Sequence, residues 1–284
     1  MKDVLPPAVS KWQYVEEKAR AVLESFAYRE LRTAGTLDRA YVVHARWQHE
    51  PVTRWYRIAH AGEQPRIEAA VFGLPAPTGD AEVMGMTIGL LSEIGIPASR
   101  LALRLGADDE TRALLATLHT GVEPQVVARA SEQQTFFEIH ANGTRLAAGA
   151  RNDELVPALG GPPVPTLVLE VDLEPVISAI DDPAESFEPP LTAFFACDTA
   201  RARTWALQAA HRLRLDGIRA ELEHDDLPLD EQRERAAILN ARLTVVVHDE
   251  DLHAGHVLLE DHGTDRRELV ALSDLDATIR QRVD

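Results

Sequence analysis

Residues 148–177 read AGARNDELVPALGGPPVPTLVLEVDLEPVI, and the fold turns on this stretch. The segment 166–171, TLVLEV, is a nearly continuous run of apolar and β-branched residues and predicts a buried strand. Pro175 follows closely. Its ring removes a backbone N–H and clashes with the preceding turn, so a helix accepts it only in the first turn, where that N–H has no partner in any case. The sequence therefore predicts a buried strand running directly into a helix that carries a proline at its start.

Working outward, an amphipathic helix is expected over 10–27, with Trp12, Val15, Ala19, Val22, Leu23 and Phe26 at helical spacing. A short strand follows at 28–33, then a helix near 37–41. Segments 54–60 and 67–73 predict an antiparallel strand pair. A helix over 80–91 begins with Asp80 in the position of a cap. A strand at 99–105, a helix at 108–118 and a strand at 135–139 come next. Asn142-Gly143 is a two-residue hairpin turn whose return strand starts at Arg145. After the Pro-rich stretch 183–190, the pattern changes to alternating strand and helix: strands at 192–196, 219–223 and 243–247, helices at 201–216 and 229–239. A hairpin, 256–260 with 268–271, and a helix from Ser273 close the chain. The expected class is α+β: an antiparallel sheet with flanking helices over 1–182, a linker at 183–190, and a small α/β domain over 191–284.

The chain has 284 residues and a formal charge of −17. The charge disfavours broad contact with nucleic acid, which needs a basic surface. A single cysteine, Cys197, excludes an internal disulfide and fits a reducing compartment. No apolar run reaches membrane-spanning length. A soluble cytoplasmic protein without membrane contact is expected.

The order of these segments resembles histidyl-tRNA synthetases, a class II aminoacyl-tRNA synthetase family. Asp3-Val4-Leu5-Pro6-Pro7, a helix and the 28–33 strand match the family's opening. The 148–161 segment resembles its A-G-G-R-Y-D-G-L-V..L-G-G-P run. The C-terminal part, with 216–222 (DGIRAEL), 240–247 (NARLTVVV) and 249–258, is similar to its anticodon-binding domain. Two stretches of the family pattern have no counterpart, one after Thr33 and one between about Leu118 and Val126. The resemblance implies a reduced class II core followed by an anticodon-binding-like domain. It also implies a two-fold dimer, although the first motif, which builds that interface, is cut.

The same resemblance implies that the chemistry is lost. Histidine activation in the family uses an ATP-contacting arginine of a G-L-E-R segment, and that position is Pro175. The arginine of the second motif falls at about Gly62, its amide position at Arg66 and its acidic position at Ala70. The histidine-specific segment aligns with 127–134, where the arginine becomes Val127 and two tyrosines become Ser131 and Glu132. The basic S-L-K-K-Q element becomes Pro228-Leu229-Asp230-Glu231-Gln232, so tRNA binding is not expected. Neither are catalysis nor a cofactor. If a ligand pocket persists, Arg57, Arg66, Glu68, Arg129, Gln134 and Arg151 are its candidate lining; otherwise each forms a surface ion pair of little energy. His248, His253, His256 and His262 have a metal site as one reading; a polar hairpin loop is preferred, and no metal is expected. Cys197 reads as a buried thiol. The expected role is a catalytically silent regulatory, binding or scaffold protein with a protein partner and a homodimeric state. The alternatives are a regulatory subunit of ATP phosphoribosyltransferase in histidine biosynthesis and a divergent ATP-dependent adenylating enzyme.

Overall fold

The structure is a computed structural model describing residues 3–44, 49–60, 64–128 and 135–283. The chain divides into two compact units, Met1–Glu188 and Pro189–Asp284. The first contains α1 (Ala8–Ser25), β1 (Arg29–Glu30), α2 (Leu37–Val43), β2 (Thr53–Ala59), β3 (Arg66–Phe72), α3 (Thr78–Glu93), β4 (Leu101–Gly106), α4 (Asp109–Thr117), β5 (Pro124–Val126), β6 (Phe136–Ala141), β7 (Thr144–Arg151), α5 (Leu155–Ala158), β8 (Thr166–Asp172) and α6 (Leu173–Ala179). Its strands form one sheet in the order β1-β2-β3-β8-β7-β6-β4-β5. All neighbours are antiparallel except the two outermost pairs, β1–β2 and β4–β5. The TLVLEV strand therefore lies in the middle of the sheet, and Pro175 is the third residue of α6, inside the first turn.

Strand alternation gives this sheet two different faces. On one, Tyr56, Ile67, Val71, Phe137, Leu169 and Val171 pack with Val15, Ala19 and Leu23 of α1 and with Met84, Ile88 and Leu91 of α3 in a single apolar core. On the other, Trp55, Ala70 and Phe72 meet Leu37 and Tyr41 of α2 and Val156 of α5. The Tyr41 and Phe72 rings stack there, with centroids 4.1 Å apart. The Asn142-Gly143 turn has φ of 52° and 80°, the left-handed pair that a tight hairpin requires. Asp108 caps α4 by accepting the Thr111 N–H at 2.7 Å.

Asp80 is not a cap, contrary to the sequence reading. Helix α3 starts two residues earlier, and Asp80 is fully buried in its first turn. A carboxylate without water demands a cation, and Arg151 supplies it. The stretch 183–190 was expected as linker. Ala184–Phe187 form a 3-10 turn, and Phe187 packs its ring 4.8 Å from that of Tyr14. Lys11 secures the approach to this turn by donating to the carbonyls of Ile180 and Asp182 at 2.8 and 2.9 Å.

The second unit contains β9 (Ala193–Cys197), α7 (Ala200–Leu215), β10 (Ala220–Leu222), α8 (Leu229–Ile238), β11 (Leu243–Val247), α9 (Asp249–His253), β12 (His256–Asp261), β13 (Arg266–Ala271) and α10 (Leu275–Val283). Its sheet order is β10-β9-β11-β12-β13, parallel across the first three strands and antiparallel beyond. The segment after Val247 is a correction to the hairpin-loop reading. A one-turn helix, α9, precedes β12, with three acidic residues at its N-terminal end, where the helix dipole favours them. The imidazoles have separate partners: His248 meets Asp198 at 3.2 Å, His253 meets Arg201, and His262 meets Thr244 at 2.8 Å. Among the described residues, no three His, Cys, Asp or Glu side chains group as metal ligands.

Two buried carboxylates tie the second unit to pH. Burial raises the pKa of Glu223, but the Asp225 N–H, the Arg235 guanidinium and the His224 N–H together outweigh it and hold the group below its ordinary value. Burial likewise raises Asp261, and Arg282 with the Gly263 N–H reverses the sign. A depressed folded-state pKa stabilises above the unfolded value and is lost as pH falls through the folded one. The second unit should therefore weaken below about pH 4. Glu223→Gln should flatten that dependence in urea titrations run from neutral to acid pH; an unchanged slope would remove Glu223 as a cause.

Candidate functional site

Beyond the aromatic cluster under α2, the same face of the first sheet turns from apolar to charged. Arg57 on β2 stands directly across from Glu68 on β3, and Glu68 directly across from Glu170 on β8. Arg57 Nε donates to Glu68 at 2.7 Å. Arg66 lies 3.4 Å from Glu68 and donates to Glu170 at 3.0 Å. Arg145 reaches Asp172 at 3.1 Å, and farther along Arg104 meets Glu138 at 2.9 Å with His140 at 3.2 Å from the same carboxylate. Glu68 and Glu170 stand side by side, and Arg66 bridges both from one same-face position along β3, so the guanidinia of this face are held by its own carboxylates.

Three of the six sequence candidates, Arg57, Arg66 and Glu68, are thus brought together. Arg151 is not with them. It points to the opposite face, 4% exposed, with Nε and Nη2 donating to Asp80 Oδ1 at 2.8 and 2.5 Å. Its remaining contacts are the Leu74 carbonyl at 3.0 Å and Asp153 at 3.2 Å. Arg129 and Gln134 lie outside the described residues. The sequence reading missed Glu170, Asp172 and Arg145, which complete the charged ladder. Alternation within each segment was visible, but only register shows which residues stand across from one another.

Arg57 also borders a cavity of about 510 Å³ at the β1 edge of the sheet, lined by Arg20, Glu30, Arg32, Thr33 and His60 among others. Its Nη1 donates to the Thr33 carbonyl at 3.3 Å and to the Gly35 carbonyl, so it also fixes the segment between β1 and α2. Arg20 and Arg32 share one carboxylate, Glu30, at 3.5 and 3.4 Å. His60 lies 3.6 Å from Glu16.

In the second unit, the first turn of α8 carries Asp230 and Glu231, and Gln232 is buried. Gln232 accepts the Cys197 N–H at 2.7 Å and donates to the carbonyls of Cys197 and Leu227 at 2.8 and 2.7 Å. Burial pushes the Cys197 thiol up to about 12, with Arg203 lowering it only in part, so it stays protonated and unreactive. No helix among the described residues is long and apolar enough to cross a membrane.

Residues 193–282 match the family model described as an anticodon binding domain. The chain is 22% identical to the histidine–tRNA ligase of Caldanaerobacter subterraneus subsp. tengcongensis, covering 98% of each. That alignment spans 412 residues against 284 in this chain, so the relative carries segments with no counterpart here. Histidine–tRNA ligase 2 of Bacillus cereus is 32% identical over 49% of the chain and 35% of the relative. In fold, the chain matches apo S. aureus histidyl-tRNA synthetase with a TM-score of 0.84, at 17% identity and 98% coverage of both. It also matches, at 0.65 and 13% identity over 87% of the chain and 96% of the other, a Bacillus halodurans protein described as an ATP phosphoribosyltransferase regulatory subunit/histidyl-tRNA synthetase. Along its length the chain is similar to histidine–tRNA ligases, its residues 193–282 match the anticodon binding domain model, and its fold is that of histidyl-tRNA synthetases.

Proposed function

We propose that this chain is a regulatory or binding protein that keeps the synthetase frame without amino-acid activation. The charged face of the first sheet carries the reading. Transition-state stabilisation in phosphoryl or adenylyl transfer needs cationic donors aimed at developing negative charge. Here the candidate cations Arg57 and Arg66 are already held by Glu68 and Glu170. Ala70 and Pro175 stand where the resemblance calls for an acid and an arginine, and neither side chain has a charge to give. Purified protein should show no ATP–pyrophosphate exchange above background with any of the twenty amino acids. Exchange with one of them would overturn the reading in favour of a divergent adenylating enzyme.

A regulatory role toward ATP phosphoribosyltransferase is the second reading, favoured by the likeness to the Bacillus halodurans protein. Mixing the chain with a catalytic phosphoribosyltransferase subunit should then give a complex on size exclusion and histidine-sensitive activity; two independent peaks would dismiss it. In either case the chain works through a protein partner and as a homodimer. The acidic opening of α8 repels phosphate, which weighs against tRNA as a ligand.

A further inference from the structure

The five-stranded sheet of the second unit ends in two unlike edges. At β10 the outward groups are occupied by side chains. Arg214 Nε donates to the Ala220 carbonyl at 2.8 Å, and Glu221 accepts the Leu222 N–H at 3.1 Å. An edge closed in this way does not invite another strand. The opposite edge, β13, is open. The Leu272 N–H bonds to the Gly255 carbonyl, so antiparallel alternation turns residues 266, 268 and 270 toward β12. Arg267, Leu269 and Ala271 then point N–H and C=O outward. Among the described residues this outward backbone meets only the Asp274 N–H, at the Ala271 carbonyl.

One row of side chains runs straight to the open edge. Ala196 on β9 stands across from Val246 on β11, Val246 across from Leu258 on β12, and Leu258 across from Leu269 on β13. Ala196 and Val246 are fully buried, whereas Leu269 is 62% exposed. The neighbouring row, Phe194, Thr244, Glu260 and Arg267, ends in a charge instead. An apolar row that stops at an open edge suits one more strand, with an apolar side chain opposite Leu269.

We propose that a second copy of this chain supplies that strand, its β13 antiparallel to the first about a two-fold axis at Leu269. The residues select the occupant and the register. Centred on Leu269, the pairing sets leucine against leucine and Arg267 against Ala271. Centred on Glu268 or on Arg267, it sets like charges face to face, which is destabilising. Arg214 and Glu221 occupy β10, so head-to-tail growth is disfavoured and the contact closes as a dimer. The inference rests on the homodimer reading and names its surface: the two sheets join, with Leu258 and Leu269 of both copies in one row.

Sedimentation equilibrium of the full chain should give a dimer. Leu269→Lys should weaken it about tenfold, because the apolar contact is lost and two cations face each other. Leu269 is exposed, so the fold of each copy survives the change, which circular dichroism checks. Leu269→Cys should give a disulfide-linked dimer under mild oxidation. Arg267→Cys should not, because that position faces Ala271 of the second copy and lies too far from its own counterpart. Cys197 is buried and does not compete. A dimer that Leu269→Lys leaves unchanged overturns the β13 contact, as does cross-linking no greater at 269 than at 267; either leaves the homodimer reading standing. A monomeric wild type overturns both.

Discussion

Arg151→Met should destabilise the first unit by about 3–5 kcal/mol, the usual cost of removing one partner from a buried ion pair. Asp80 is completely buried, and its cation is Arg151, whose Nε and Nη2 both donate to Oδ1. Among the described residues Oδ2 has no hydrogen-bond partner, so none of them stands ready as a second donor. The substitution also strands the Leu74 carbonyl and releases Asp153, which accepts the Thr166 N–H at the start of β8. Urea unfolding followed by near-ultraviolet circular dichroism measures the loss. The double variant Asp80→Leu with Arg151→Met should recover much of it, because two apolar groups of similar size need no ionic partner. A loss under about 1 kcal/mol in the single variant would mean that Asp80 protonates or rehydrates easily, and that the pair does not organise the α3–β7 contact.

Gln232→Leu should cost the second unit about 3 kcal/mol, since it removes the partner of the buried Cys197 N–H and carbonyl and of the half-buried Leu227 carbonyl. The Cys197 groups sit at the end of β9, which is flanked by β10 and β11, so the damage falls inside the sheet. Cys197 is the single cysteine and is buried as the last residue of that strand. Its reaction with an aromatic disulfide reagent therefore reports strand opening, and the rate should rise roughly a hundredfold if about 3 kcal/mol is lost. Equal thiol reactivity in wild type and variant would show that water replaces the amide. The resemblance places Gln232 in an RNA-binding element. The geometry gives this glutamine a structural duty that persists when its basic neighbours have become acidic.

The elements themselves were legible because their signals are local. Helical spacing at Val15, Ala19 and Leu23, the Asn142-Gly143 turn and the proline in the first turn of α6 each act within a few residues. Short elements escaped for the opposite reason, the four-residue α5 among them. Strand β5, with Pro124 and an exposed burial pattern, exists only by pairing with β4, and α9 is a single turn whose acidic start also suits a loop. Collinear order, Thr33 and Pro175 carried the resemblance and the loss of expected charges, since those facts are written one residue at a time.

What the sequence alone determined was therefore the elements, their order, the two-part organisation and the absence of an arginine at position 175. The tertiary structure decided which charges meet. Arg57, Arg66, Glu68 and Arg151 are all strand residues, and nothing in their spacing tells that three face one way and the fourth the other. Register put Glu170 beside Arg66, while burial of α3 put Asp80 beneath Arg151. Coulomb interactions fall with distance through space, not along the chain, so the partner of a charge is fixed only once the strands are paired.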